Sequence, residues 1–294
     1  MTETTAVADR GAAVWDHVAV APRLAPRLAA RFAALASSGR KALIPFVTAG
    51  DPSREATVPV MHALAAAGAD VIEVGVPFSD PMADGPTIQR SSERALGRGA
   101  GLAFVFEAVA EFRRRDDTTP VVLMGYLNPV EIRGAARFAD DAAASGVDGV
   151  LLVDLPPEEA QEFREAFGAR GIALILLASP TTSPVRLATL CATAQGYLYY
   201  VSFAGVTGAS DRLDTLEASG RLRDIRAATT VPVVAGFGIR DATSALAMSV
   251  DADGVVVGSA LVAALAGAAD PGDAALRATA FLEPIRAALD AAAA

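Results

Sequence analysis

Two carboxylates stand where their type has to be explained. Glu73 lies inside the apolar run DVIEVGV that starts at Asp70, and Asp84 lies in the segment GVPFSDPMADGPTIQ that follows it. In an extended strand successive side chains alternate, so Ile72 and Val74 share one face while Val71, Glu73 and Gly75 share the other. If Ile72 and Val74 pack outward, Glu73 points into the interior. A structural ion pair is the ordinary explanation for a buried glutamate, yet none of the eight strand-like runs in the chain carries Lys, Arg or His. A carboxyl left unpaired in such a place either keeps its proton, because desolvation raises its pKa, or meets a substrate. Both outcomes suit general acid–base chemistry. Asp84 precedes Gly85 and Pro86 in a loop with three prolines and two aspartates. A stiff loop places side chains, but an ordinary turn or helix N-cap explains an aspartate there equally well. Asp80, beside Pro81, reads as a loop or interface residue.

A second chemistry is anion binding. The run GFGI places Phe237 and Gly238 just after one strand-like segment, and GSAL places Gly258 and Ser259 just after the next and before a short helix. Backbone amides at two such turns can converge on a phosphate dianion, although glycine in a turn often serves geometry alone. The segment SFAGVTGASD, rich in Gly, Ser and Thr, has the composition of a lid and equally that of an ordinary flexible loop. Phe46, Tyr126, Tyr199 and Phe237 fall near strand ends, where they line a pocket for a flat ring or belong to the core.

These residues need a scaffold that brings strand ends together. Eight short, nearly uncharged runs recur: ALIPFVT, DVIEVGV, PVVLMGY, GVLLVDL, IALILLA, YLYYVSF, VPVVAGF and DGVVVGS. Each has the length of a buried strand. Ala-rich helical segments separate them, and three helix-to-strand junctions look alike: AAAGADVIEVG, AAASGVDGVLLVD and SVDADGVVVG. Regular alternation predicts a parallel sheet, and eight units predict closure into a (β/α)8 TIM barrel, with a doubly wound open sheet as the alternative. An extra N-terminal helix over RLAPRLAARFAALASSG, stopped by Gly39, is expected to close the bottom of the barrel, and Asp270 to Ala294 to form the last outer helix. The expected organisation is an N-terminal extension over 1–20, which need not be ordered, and one barrel domain over 21–294.

Composition narrows the function. A formal charge of −9 excludes a basic nucleic-acid surface, so any bound phosphate is small and locally held. One cysteine, Cys191, and two distant histidines, His17 and His62, form neither a disulfide nor a metal site, which points to a reducing cytoplasm. The longest uncharged stretch, Leu187 to Ser210, is interrupted by Gln195, Gly196, Gly205 and Gly208 and does not read as a membrane span. Glu3 and Asp9 argue against a secretory signal. The spacing of Arg10, Arg23, Arg27 and Arg31 fits an amphipathic surface helix or an organellar transit segment.

In order along the chain, PFVTAGDP from Pro45, IEVGVPFSDPMADGPTIQ from Ile72, DLPPEE from Asp154, YYVSFAGVTGA from Tyr199, then GFGI and VVVGSAL, resemble the tryptophan synthase α subunit family. That resemblance implies retro-aldol cleavage of indole-3-glycerol phosphate to indole and glyceraldehyde 3-phosphate, with no cofactor in this chain. Glu73 matches the family's catalytic glutamate, which protonates indole C3 and takes the glycerol hydroxyl proton. Asp84 matches the aspartate that binds the indole N–H and stabilises the positive charge of the indolenine tautomer. It further implies Phe46 stacked on the ring and Tyr199 beside it, while Tyr126 reads as an indole-binding or supporting residue. Thr207 would meet the aspartate as the lid closes, and Gly208, Phe237, Gly238, Gly258 and Ser259 would surround the phosphate. Asp80 and Asn128 fall where the family meets its β subunit, a pyridoxal-phosphate enzyme, in an αββα complex. The segment MGYLNPVEIRG departs from the pattern at Leu127 and Glu131, which leaves a stand-alone lyase open. An inactive barrel serving as a binding partner is a third reading.

Overall fold

The structure is a computed structural model that describes residues 24–201, 215–236 and 238–293. Eight parallel strands close a barrel in sequence order. They are β1 (Ala42–Thr48), β2 (Ile72–Gly75), β3 (Val121–Gly125), β4 (Gly149–Leu152), β5 (Ala173–Ala178), β6 (Leu198–Val201), β7 (Val233–Gly236) and β8 (Gly254–Val257). The closing seam pairs Leu43 with Val255 and Ile44 with Val256, so no open edge remains and the doubly wound alternative is excluded.

Among the described residues the helices are α1 (Pro26–Ser38), α2 (Arg54–Ala66), α3 (Pro86–Gly97), α4 (Leu102–Arg113), α5 (Leu127–Arg133), α6 (Ala135–Ser145), α7 (Gln161–Gly168), α8 (Pro184–Thr193), α9 (Thr215–Ala228), α10 (Ala242–Ser249), α11 (Ser259–Leu265) and α12 (Pro271–Ala291). Two helices follow each of β2 and β3 where strand–helix alternation predicts one. None of the helices is long and apolar enough to cross a membrane.

Strand alternation divides the core into two layers. Leu43, Val47, Ile72 and Val74 pack outward against helices. Ile44, Val71, Val122, Leu151, Ile175, Tyr197, Tyr199, Val234 and Val256 fill the interior. Leu28, Phe32 and Leu35 of α1 join that interior layer, so the extra helix plugs the N-terminal end of the barrel as its sequence predicts. Gly39 ends it in the left-handed conformation, at φ +67°, which a glycine adopts without steric cost.

The three look-alike junctions have a common purpose. Asp70, Asp148 and Asp253 each accept, through Oδ2, the backbone N–H of a residue opening the preceding strand: Leu43, Val121 and Val233. Each thus stitches one strand to the next at the bottom of the barrel. Arginines then neutralise them. Arg27 of α1 and Arg113 bind Asp148 at 2.8 and 2.7 Å, and Arg286 binds Asp70 at 3.0 Å, with Arg31 of α1 at 3.7 Å. Arg27 and Arg31 therefore anchor α1 to the barrel. Asp148→Ala strips Arg113 of its carboxylate and leaves a buried strand N–H unpaired. It should destabilise the fold by about 3 kcal/mol, read as a lower urea midpoint at unchanged slope. A loss below about 1 kcal/mol would make the stitch energetically idle.

Candidate active site

At the other end of the barrel a cavity of about 1100 Å³ opens. It is lined by Phe46 of β1, Glu73 of β2, Asp84 from the β2–α3 loop, Tyr199 of β6, Gly238 after β7, and Gly258 and Ser259 after β8. Residues from widely separated stretches of the chain converge because every strand ends at the same rim. Thr207, Gly208 and Phe237, the SFAGVTGASD segment and the extension over 1–20 lie outside the described residues.

Glu73 is completely buried and points inward, between neighbours Phe46 on β1 and Val122 on β3. Among the described residues it has no cationic partner, in keeping with the composition of the strands, but it is not alone. The Tyr197 hydroxyl donates to its Oε1 at 2.6 Å. Oε2 has no hydrogen-bond partner among the described residues. Burial pushes the Glu73 carboxyl up to about 7, against the smaller downward pull of the tyrosine hydroxyl. One oxygen is thus held and the other is free, on a group half protonated near neutrality. Tyr197 went unread in the sequence, although YLYY places Tyr197 and Tyr199 on the same inward face and Tyr200 on the other. Its ring rests on Phe32 of α1, centroids 5.7 Å apart, so the helix that plugs the barrel also supports the group that holds Glu73.

Asp84 is not a cap. Gly85 occupies the N-cap position of α3, without a side-chain bond, and the helix begins at Pro86. The carboxylate instead accepts from the Tyr126 hydroxyl at Oδ2, 3.0 Å away. The backbone around it is pinned: Asp84 N–H donates to the Pro81 carbonyl, and Gln89 Nε2 donates to the Asp84 carbonyl at 2.9 Å. Desolvation raises the Asp84 carboxyl to about 6, and the Tyr126 hydrogen bond opposes the rise.

Tyr126 therefore stands behind Asp84 and not among the groups lining the cavity. Its ring stacks on Phe78 at 5.1 Å, and its oxygen also accepts the Ala83 N–H, which commits both ends of the side chain. Tyr126→Phe removes the donor that steadies the charged form, so the Asp84 pKa should move above about 6. A pH–rate profile whose acid limb stays in place would count against this role.

Phe46 and Tyr199 need glycine neighbours. A Cβ on Gly75 would sit 2.5 Å from the Phe46 ring, and one on Gly236 would sit 2.0 Å from the Tyr199 oxygen. Phe46 packs with Ile88, Val262 and Met124 into a small apolar cluster beside the cavity. The Tyr199 hydroxyl stays firmly protonated, because it is buried and faces the negative charges of Glu73 and Asp84. Gly238 adopts φ +72°, and Gly258 directly precedes α11, whose first amides lack helical partners. Asp80 and Asn128 are exposed, Asp80 in the loop after β2 and Asn128 in the first turn of α5, which follows β3. Among the described residues no group of three or more His, Cys, Asp and Glu is gathered as a metal site would need.

Comparison with known proteins agrees with this arrangement. The family model described as tryptophan synthase alpha chain matches residues 32–289. The tryptophan synthase alpha chain of Xanthomonas campestris pv. campestris is 75% identical over 258 residues, covering 88% of this chain and 95% of that protein. Among solved structures, tryptophan synthase subunit alpha from Legionella pneumophila superposes with a TM-score of 0.83 at 41% identity, covering 90% of this chain and 98% of that one. A chain of the tryptophan synthase complex from Pyrococcus furiosus superposes at 0.75 with 38% identity, covering 84% and 98%. With eight strands in register and the two carboxylates on one cavity, the chain belongs to the tryptophan synthase alpha chain family.

Proposed function

We propose that this chain cleaves the carbon–carbon bond of indole-3-glycerol phosphate, releasing indole and glyceraldehyde 3-phosphate, with Glu73 and Asp84 as its two working carboxyls. The observation that carries the reading is Glu73: buried in an apolar barrel at the floor of the cavity, held by Tyr197 through one oxygen, with the other oxygen unpartnered among the described residues and a pKa near 7. Such a group can give and take a proton in one turnover.

Glu73 enters protonated and transfers its proton to indole C3. Asp84, ionised, accepts the indole N–H and stabilises the positive charge that spreads onto that nitrogen. The Glu73 carboxylate then takes the glycerol hydroxyl proton as the bond to C3 breaks. The electron pair of that bond returns to the ring, and the hydroxyl-bearing carbon becomes the aldehyde. Glu73 ends protonated, as it began. Phe46 and Tyr199 provide walls for the ring, and the amides at Gly238, Gly258 and Ser259 a cradle for the phosphate, which Phe237 and Gly208 complete by resemblance, while Thr207 by the same resemblance meets Asp84.

Activity requires Asp84 ionised and Glu73 protonated. The rate should rise with pH through about 6 and fall through about 7, a narrow bell in kcat/KM. A flat profile between pH 5 and 8 would contradict this division of labour.

The chain works, on this reading, in the cytoplasm as the α subunit of an αββα complex, passing indole to a pyridoxal-phosphate β subunit. Exposed apolar groups favour docking near Asp80 and Asn128: Met82, in the loop after β2, is 79% exposed and Ile132, on α5, 83%. The deciding measurement is indole release with and without a β subunit. Strong stimulation is expected. Full turnover alone, unchanged by a β subunit, would favour the stand-alone lyase that Leu127 and Glu131 keep open, and no release in either case would reject the activity.

A further inference from the structure

The cavity is an acidic place for an anionic substrate. Glu73, Asp84 and Asp154 line it, and the chain as a whole carries a formal charge of −9. Two cationic side chains line the same cavity, Arg186 and Arg240. Arg186 is spent: its Nε and Nη2 bind both oxygens of Glu158 at 3.1 and 2.7 Å. Arg240 is exposed, and among the described residues no carboxylate lies within ion-pairing distance of its guanidinium.

Its backbone, by contrast, is tightly held. The Arg240 N–H donates to Ser244 Oγ at 3.0 Å. The adjacent Asp241 caps α10, accepting from Ser244 N–H at 2.8 Å and from Ser244 Oγ at 2.7 Å, so that carboxylate is engaged elsewhere. Arg240 follows Gly238 and Ile239 on the turn after β7, and β7 pairs with β8, whose end carries Gly258 and Ser259. A fixed peptide frame thus holds Arg240, without an ion-pair partner among the described residues, in the cavity lining next to the turn that carries Gly238.

Resting on the reading of the cavity as a site for a phosphorylated substrate, we infer that Arg240 is a specificity-determining residue that recruits the substrate phosphate and holds its outer face. The glycine amides take the inner oxygens. Among the described residues of the lining, the guanidinium supplies the one positive charge not already paired with a carboxylate, in a planar fork suited to phosphate. Its contribution is made equally to ground and transition states, because the phosphate takes no part in bond cleavage. It therefore belongs in KM and not in kcat.

The test is steady-state kinetics on indole-3-glycerol phosphate and on unphosphorylated indole-3-glycerol, at about 20 and about 500 mM salt. Arg240→Gln should raise KM for the phosphorylated substrate about tenfold at low salt, with kcat nearly unchanged. Arg240→Lys should recover most of the loss, and high salt should narrow the gap between wild type and Arg240→Gln. Arg186→Gln should move KM by less than about twofold, since its charge is already neutralised. An unchanged KM in Arg240→Gln overturns the inference, as does a rise that is equal for the unphosphorylated substrate or indifferent to salt. If the wild type releases no indole, the lyase reading has failed. Calorimetric titration with glycerol 3-phosphate then judges Arg240 separately: about tenfold weaker binding in Arg240→Gln supports it, and equal binding rejects it.

Discussion

Glu73→Gln should lower indole release by about three orders of magnitude, since a glutamine can neither deliver a proton to indole C3 nor take one from the glycerol hydroxyl. The substitution keeps shape and length, and an amide oxygen can still accept the Tyr197 hydroxyl bond. The same change should also stabilise the fold in alkaline solution. The Glu73 carboxyl titrates near 7 when folded against an ordinary value of 4.5, so the folded chain holds the proton more tightly than the unfolded one. That contribution is fully present below about pH 4.5 and is lost as pH rises through 7, a difference of about 3 kcal/mol. Denaturant melts of Glu73→Gln and wild type should therefore coincide below about pH 4.5, diverge as pH rises to 7 and stay apart above it, with the variant the more stable. An inactive variant less stable at pH 8 would mean that the carboxylate has an unseen partner. Near-normal activity would remove Glu73 from the chemistry altogether.

Asp84→Asn should cost about two orders of magnitude in kcat/KM, less than Glu73→Gln, because the neutral amide can still accept the indole N–H while losing the charge opposite the developing cation. Its diagnostic is the pH profile. The acid limb near 6 belongs to Asp84 and should vanish, while the alkaline limb near 7 belongs to Glu73 and should stay. Stability should not suffer. The Asp84 pKa is raised in the folded chain by desolvation, so its ionisation weakens the fold as pH rises through about 6, and asparagine removes that penalty. Near-normal turnover with both limbs intact would return Asp84 to a turn residue.

The two carboxylates were legible to different degrees. Glu73 followed from strand alternation and from the absence of cations in the strands, both local properties. For Asp84 local rules left a turn or N-cap open, and the choice turned on Tyr126, 42 positions away, which no spacing links to it. Tyr197 shows the same gap at longer range. Its inward orientation was written in YLYY, but its bond to Glu73 joins the residue that opens onto β6 to β2 across the barrel. For Tyr126, proximity to a strand end left an indole-binding or a supporting role open, and only the tertiary contacts, the Phe78 stack and the Ala83 bond, set it behind the loop in support of Asp84.

Glu73 and Asp84 thus mark the boundary between what the sequence by itself determined and what the tertiary structure decided. Periodicity is a local property, and it determined the eight strands, their inward faces, the plugging helix and the presence of an interior carboxylate. Barrel closure is not local. It set which hydroxyl meets which carboxylate, which oxygen stays free, and which arginine is left unpaired at the mouth, since these depend on distances between strand ends that the chain defines only once β8 has joined β1.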